Sequence, residues 1–237
     1  MTMKYGPIPS PVLTEEKEPV FRDSPLVEIR EDSRLKLYMM YPALGLKNGY
    51  RRCLLRKEAA EMLEQAKKYL PEGYSFLIWD AWRPFALQKE LREYYRDRII
   101  EEFGLMDKSE EEREQFISRF VADPVPDRIH PPAHTTGGAV DLTITGPDGK
   151  ELDMGTAFDA FTERTETVWY EQQESNEEIR ENRRMLYHIM TRAGFTNIPS
   201  EWWHYEYGDR NWSASTGEPP CYGGIFTVEE AEQSTLS

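Results

Sequence analysis

Apolar positions along the chain switch between two spacings, and the switches mark its elements. Leu26-Val27-Glu28-Ile29 and Leu35-Lys36-Leu37-Tyr38-Met39-Met40-Tyr41 are short apolar runs predicted as strands, the second ended by Pro42 and the Gly45 to Gly49 loop. From about Arg56 to Leu70, Ala59, Met62, Leu63, Ala66 and Leu70 recur at helical spacing until Pro71-Glu72-Gly73 stops them. Tyr74 to Trp79 is a continuous apolar run, predicted as a buried strand. It ends in Asp80-Ala81-Trp82-Arg83-Pro84, from which a helix runs through about Phe103. A charged amphipathic helix is predicted over Glu110 to Val121, broken by Asp123-Pro124-Val125-Pro126. In Ala139 to Ile144, period two puts Val140, Leu142 and Ile144 on one face and Ala139, Asp141 and Thr143 on the other. Glu177 to Ala193 is a helix with Ile179, Met185, Leu186, Ile189 and Met190 inward and Gly194 at its end. The aromatic run Glu201 to Tyr207 favours a last strand.

A chain of 237 residues, 39% hydrophobic and 12% aromatic, buries a sizeable core and fits one domain. That domain is expected over residues 25–226. Residues 1–24, rich in proline and acidic residues, read as an N-terminal arm draped over the surface or partly disordered, and 227–237 as an acidic, mobile tail. A net charge of -14 and a pI near 4.9 argue against nucleic acid and anionic membrane as partners, because no basic stripe offsets the acidic surface. No stretch approaches eighteen apolar residues and the first residues lack a basic, then apolar, leader, so a soluble, cytoplasmic protein is expected. Cys53 and Cys221 are too few and too isolated for a disulfide framework or a thiolate metal site. Any metal must therefore use histidine and carboxylate. Oligomeric state is not encoded in any of these patterns.

Of the 4 histidines, His188 lies in a predicted helix and His130 precedes two prolines with no evident partner, which leaves His134 and His204 as ligand candidates. Glu201 stands three residues before His204, and Glu-x-x-His can carry both halves of a metal-assisted hydrolysis: a ligand and a proton acceptor for metal-bound water. Residues three apart on a strand point to opposite faces, so Glu201 is placed at a turn entering the strand. His134 and Asp141 are separated by an odd number of residues, and Gly137-Gly138 supplies the bend that can bring them to one side. Each residue has a plainer reading as well. His204 fits a half-buried strand, Asp141 fits the exposed face of a sheet, and Asp80 with Arg83 fits a surface ion pair. Leu152 to Asp159 is loop-like, and its two carboxylates fit turns or caps.

Taken together, His134-x-x-Gly137-x-Ala139-x-Asp141 and Glu201-Trp202-Trp203-His204 resemble the D-alanyl-D-alanine dipeptidase (VanX-type) family of zinc metallopeptidases. Trp79-Asp80-x-x-Arg83-Pro84, Met154-Gly155-Thr156-x-Phe158-Asp159 and Glu163-Arg164 follow in the family's order, so the resemblance spans roughly residues 55 to 207. It implies the α+β hedgehog/DD-peptidase fold, an antiparallel sheet with packed helices. It also implies that His134, Asp141 and His204 bind one zinc ion per chain and leave a fourth position for water. Glu201 would be the general base, Arg83 the stabiliser of the oxyanion, and Asp159 the carboxylate that holds the substrate's ammonium. Asp80 is expected to orient Arg83.

Two departures bear on substrate. The family usually has serine two residues before the first ligand, where this chain has Pro132, without hydroxyl or backbone N–H. The family's N-terminal Tyr-Ala-Thr and Asn-Phe-x-Gly signatures are not evident around Tyr38 to Gly49. D-alanyl-D-alanine or a related short dipeptide is the expected substrate. The alternatives are a peptidoglycan carboxypeptidase or endopeptidase of the same fold, and a non-catalytic zinc-bearing interaction domain.

Overall fold

The structure, a computed structural model, describes residues 5–236 apart from 16, 122 and 174. Strands β1 (Leu26–Glu28) and β2 (Leu35–Leu37) come first, followed by the short helix α1 (Met40–Ala43), β3 (Leu54–Arg56), α2 (Lys57–Tyr69), β4 (Ser75–Asp80), α3 (Phe85–Glu102) and α4 (Glu110–Ile117). The second half carries α5 (Ala133–Thr136), β5 (Ala139–Thr145), α6 (Glu177–Ala193), β6 (Thr196–Asn197), β7 (His204–Glu206), α7 (Arg210–Thr216) and α8 (Val228–Thr235). The class is α+β, as expected. A five-stranded sheet runs β2-β4-β5-β7-β6, antiparallel except at its β2–β4 edge, and β1 pairs with β3 in a separate ribbon.

One face of the sheet is the core. Phe76 and Ile78 of β4 pair with Ile144 and Leu142 of β5, Val140 pairs with Tyr205 of β7, and all six are buried. The inward stripes of α2 (Ala59, Leu63, Ala66) and α6 (Leu186, Ile189, Met190) close over them. Full burial of a leucine or phenylalanine contributes roughly 2 kcal/mol each, so this layer fixes strand register. A second cluster forms where α3 buries Leu87, Leu91, Tyr95 and Ile99 against Tyr41, Ile117 and Phe161. A third gathers Leu26, Leu54, Trp82 and Ile225 beneath Ala231 of α8.

Four segments differ from expectation. The run Leu35 to Tyr41 is a strand only to Leu37, because Pro42 sits in the first turn of α1, where its missing N–H costs no helical bond. The helix predicted to Val121 stops at Ile117, after which Phe120 N donates to Ile117 O in a tighter turn (2.9 Å). The last strand is confined to His204–Glu206, and the turn-rich stretch after Gly208 contains α7. Residues 228–235, expected as a mobile tail, form a helix: Thr227 Oγ1 accepts from Glu230 N and Glu230 Oε2 accepts from Thr227 N, both at 3.2 Å, and Leu26 N donates to Ser234 Oγ at 2.9 Å. Among its described residues the arm has no regular structure but is tied down, through Thr14 N to Ala214 O (2.7 Å), Val20 N to Pro220 O (2.8 Å) and Arg22 N to Cys221 O (2.9 Å). Among the described residues no helix is long and apolar enough to cross a membrane.

Candidate active site

The sheet's second face carries polar side chains in one row. Asp80, Asp141 and His204 are cross-strand neighbours on β4, β5 and β7, in register Asp80↔Asp141 and Asp141↔His204. Asp80 reaches that row through a bulge. Ile78 pairs with Leu142 and Asp80 with Asp141, so Trp79 is an extra residue; it stays in the core while Asp80 turns to the other face. His134 arrives from α5, whose end is set by Gly137 at φ 77. A side chain at Gly138 would meet Tyr207 O at 2.1 Å, so the chain passes from α5 into β5 only with glycine there. Arg56 fixes the same segment, donating to Thr136 O (2.7 Å), Ser24 O (2.6 Å) and Gly223 O (2.9 Å).

Two imidazole nitrogens and both oxygens of one carboxylate converge. His134 Nε2 is 3.2 Å from Asp141 Oδ2 and 3.2 Å from His204 Nδ1, and His204 Nδ1 is 3.0 Å from Asp141 Oδ1. All three residues are buried. The other ring nitrogens are committed: His134 Nδ1 donates to Ala81 O (2.8 Å) and His204 Nε2 to Glu206 Oε2 (3.0 Å). The nitrogens left facing each other therefore present lone pairs beside a carboxylate, an arrangement that requires a proton or a cation among them. Tetrahedral zinc with bonds of about 2.0–2.1 Å places its ligands about 3.3 Å apart, close to the 3.2 Å between the two nitrogens. Two imidazoles and one carboxylate also match zinc's donor preferences. Burial opposes the charge on Asp141, but the two imidazoles outweigh it and hold the carboxyl well below the ordinary range. Burial likewise opposes charge on His204, yet Asp141 and Glu206 hold it well above the ordinary imidazole value. Proton and metal compete for this place.

The remaining expected residues line the same cavity of about 490 Å³ as the three donors, except Asp80, which stands behind Arg83. Glu201 Oε2 lies 3.8 Å from His204 Nδ1, because His204 N donates to Glu201 O (3.3 Å) in a turn that sets both side chains on one side. Burial chiefly, opposed by the His204 charge and reinforced by Asp141 and Asp159, pushes Glu201 up to about 8. Arg83 donates through Nε to Asp80 Oδ2 (2.9 Å), to Gln88 Oε1 (2.7 Å) and to the Tyr41 hydroxyl (3.2 Å), so its guanidinium is held rigidly. Asp159 lies in the left-handed region at φ 54 and accepts from the hydroxyls of Tyr41 (3.0 Å) and Tyr95 (2.9 Å). Burial, with help from Asp141, pushes it up to about 6 against those hydrogen bonds and Arg83. Pro132 is in the wall, as are Leu13 and Thr14 of the arm.

Tyr41, Gln88 and Tyr95 were not singled out in the sequence. Gln88 and Tyr95 share the buried stripe of α3 with Leu91, and a buried glutamine on an inward helical face is the signal they offered. Tyr41 offered none, since a tyrosine before proline ends many strands. Arg183 was read as neither core nor site; from α6 it donates to Met154 O (2.8 Å), Glu166 O (2.6 Å) and Arg164 O (2.7 Å), pinning the loop that carries Asp159.

A family model described as D-ala-D-ala dipeptidase matches residues 43–218. The D-alanyl-D-alanine dipeptidase of Synechocystis sp. is 30% identical over 68% of this chain and 71% of its own length. The enzymes of that name from Escherichia coli and Enterococcus faecium are 31% and 33% identical, over 65% and 64% of this chain and 67% and 72% of their own lengths. A crystal structure of the vancomycin resistance D,D-pentapeptidase VanY in complex with Zn(II) aligns at a TM-score of 0.41 and 17% identity, covering 80% of this chain and 85% of that one, too distant to carry over any detail of the site.

Proposed function

Because the chain belongs to the D-Ala-D-Ala dipeptidase family, we propose that it is a zinc-dependent dipeptidase hydrolysing D-alanyl-D-alanine or a related short dipeptide. The observation that carries the reading is the cluster of His134, Asp141 and His204, whose donor atoms lie within 4.8 Å of one another, in one cavity with Glu201, a fixed arginine and a buried carboxylate. His134, Asp141 and His204 would hold one zinc per chain. Zinc bound there supplies Lewis acidity, polarising the peptide carbonyl and making water acidic enough to attack at neutral pH.

The chain's own residues do the rest. The Glu201 carboxylate takes a proton from the attacking water and returns it to the nitrogen of the leaving amino acid, a transfer worth typically 10² to 10⁴ in rate. Arg83 donates to the oxygen that gains charge during attack, and since Asp80, Gln88 and Tyr41 hold it in place, little reorganisation opposes a stabilisation of about 3 kcal/mol. Asp159, braced by two tyrosine hydroxyls, receives the free ammonium of the substrate and so selects peptides with an unblocked amino terminus. Pro132 removes a donor from the wall that faces the substrate, which supports a dipeptide preference differing from that of relatives with serine there.

The test is hydrolysis by purified, zinc-loaded protein of D,D-, L,D- and L,L-dipeptides and their acyl-blocked analogues. Unblocked D,D-dipeptides are expected to be cleaved and blocked ones spared; equal cleavage of both would remove Asp159 as an ammonium anchor. A hollow of about 290 Å³ that shares Tyr95, Asp159 and Glu201 with the main cavity favours the alternative of a longer, wall-derived peptide, and blocked peptides cleaved faster than free ones would establish it.

A further inference from the structure

The residue after next from His204 is the least explained acid in the molecule. On a strand, residues two apart share a face, so Glu206 stands beside His204, and it is 0% exposed. Its Oε2 accepts from His204 Nε2 (3.0 Å) and from Asn211 Nδ2 (3.1 Å), and its other neighbour is the buried Asp209 carboxyl, which burial and the Glu206 charge hold well above its ordinary proton affinity. A buried carboxylate set beside a second buried acid costs stability, and no packing need calls for one here, since a leucine or glutamine has a similar volume. Something other than folding must be served by it.

We propose that Glu206 is a positioning residue for the metal centre: by accepting the Nε2 proton of His204 it fixes the ring's tautomer and rotation so that Nδ1 faces His134 and Asp141. An imidazole can turn about its Cβ–Cγ bond and carry its proton on either nitrogen, and only one of the four combinations presents a lone pair to the cluster. Without an acceptor at this place, His204 pays for ordering itself each time metal binds. His134 is fixed in the same way by a backbone carbonyl, Ala81 O at 2.8 Å, with Asp80 Oδ2 beside it at 3.3 Å, so each imidazole of the cluster has its own acceptor. Asn211, the second residue of α7, holds the other lone pair of Oε2, and the start of α7 is fixed by Asp209 Oδ1 accepting from Trp212 N (2.9 Å). Orientation of the ligand thus extends from β7 into α7.

The inference rests on the zinc centre proposed above, and the experiment separates the two. Zinc affinity is measured by chelator competition for wild type, Glu206→Leu and Glu206→Gln, with the thermal midpoint of each zinc-free protein. Wild type binding no zinc would overturn the centre itself. With zinc bound by wild type, Glu206→Leu is expected to lose 10- to 100-fold in affinity, the range found when such partners are removed, and Glu206→Gln, which keeps an acceptor oxygen, to stay within about threefold. A merely structural role would lower the zinc-free midpoint in proportion to affinity and would not be rescued by glutamine. Glu206→Leu within threefold of wild type, or Glu206→Gln losing as much as Glu206→Leu, overturns the proposal. Should Glu206→Leu fail to fold, proton NMR of His204 in zinc-loaded Glu206→Gln decides: a downfield, slowly exchanging Nε2 proton held by the glutamine oxygen is the expected result, and an Nε2 proton in rapid exchange with solvent is the contrary one.

Discussion

At the scale of single residues the site is a set of groups held away from their ordinary proton affinities, and Asp159 shows what that costs. Its carboxyl is pushed from 3.8 up to about 6 by burial and the nearby Asp141 charge. The folded protein therefore binds this proton more tightly than the unfolded chain, so the contribution to stability is greatest below pH 4 and is lost as pH rises from about 4 through 6. Zinc-free Asp159→Asn should be more stable than wild type at pH 7 by about 2 kcal/mol and indistinguishable at pH 4, as read by urea denaturation at the two values. The same substitution should raise KM for unblocked dipeptides at least tenfold. Loss of ammonium binding by Asp159, read as a rise in KM for unblocked dipeptides with falling pH, should set in no higher than about pH 6, since a bound dication lowers the affinity of Asp159 for its proton. For Glu201→Gln, zinc content should be unchanged while kcat falls 10²-fold or more; retained turnover would remove it from the proton path. The proposed ligands and Glu201 were legible in the sequence because metal chemistry restricts residue type, whereas Tyr41 and Tyr95 act through hydroxyls that any buried tyrosine carries.

At the scale of elements, the site depends on segments that are not part of it. Arg183, on α6, donates to three carbonyls of the loop bearing Asp159, and burial lowers it only to about 10, so it stays charged near neutrality. Arg183→Met should cost about 3 kcal/mol or more, because three carbonyls lose a charged donor at once, and should raise KM with kcat little changed. Thermal unfolding and steady-state kinetics on one preparation check both. The long helices were predictable within a few residues, since Ala59, Leu63 and Ala66, or Leu186, Ile189 and Met190, repeat at a spacing that only a helix buries on one side. The C-terminal helix was not, because its acidity outweighed Thr227-x-x-Glu230, a capping signature that was present in the sequence. Short segments such as β3 and α5 have no period of their own and are set by their neighbours.

At the scale of the whole molecule, His134, Asp141 and His204 join parts of the chain up to 70 residues apart, so an ion among them would act as a cross-link as well as a reagent. With zinc in thousandfold excess over its dissociation constant, stability should rise by about 4 kcal/mol, or roughly 10 °C in Tm for a domain of this size. Scanning calorimetry with and without chelator measures the difference, and His204→Ala should abolish it. The core face of β4 and β5 could be read from period two, but the extra residue at Trp79 could not, because a bulge leaves the apolar pattern of Phe76 and Ile78 untouched and changes only what comes after. That one-residue offset has an evolutionary consequence. The lineage is free to lengthen or shorten the hairpin tip around Gly149, where chain length alters nothing downstream. Insertion of a single codon between Trp79 and Asp80 would instead set the new side chain opposite Asp141 and send Asp80 into hydrocarbon, so drift in length is expected in the tip and forbidden in the strand.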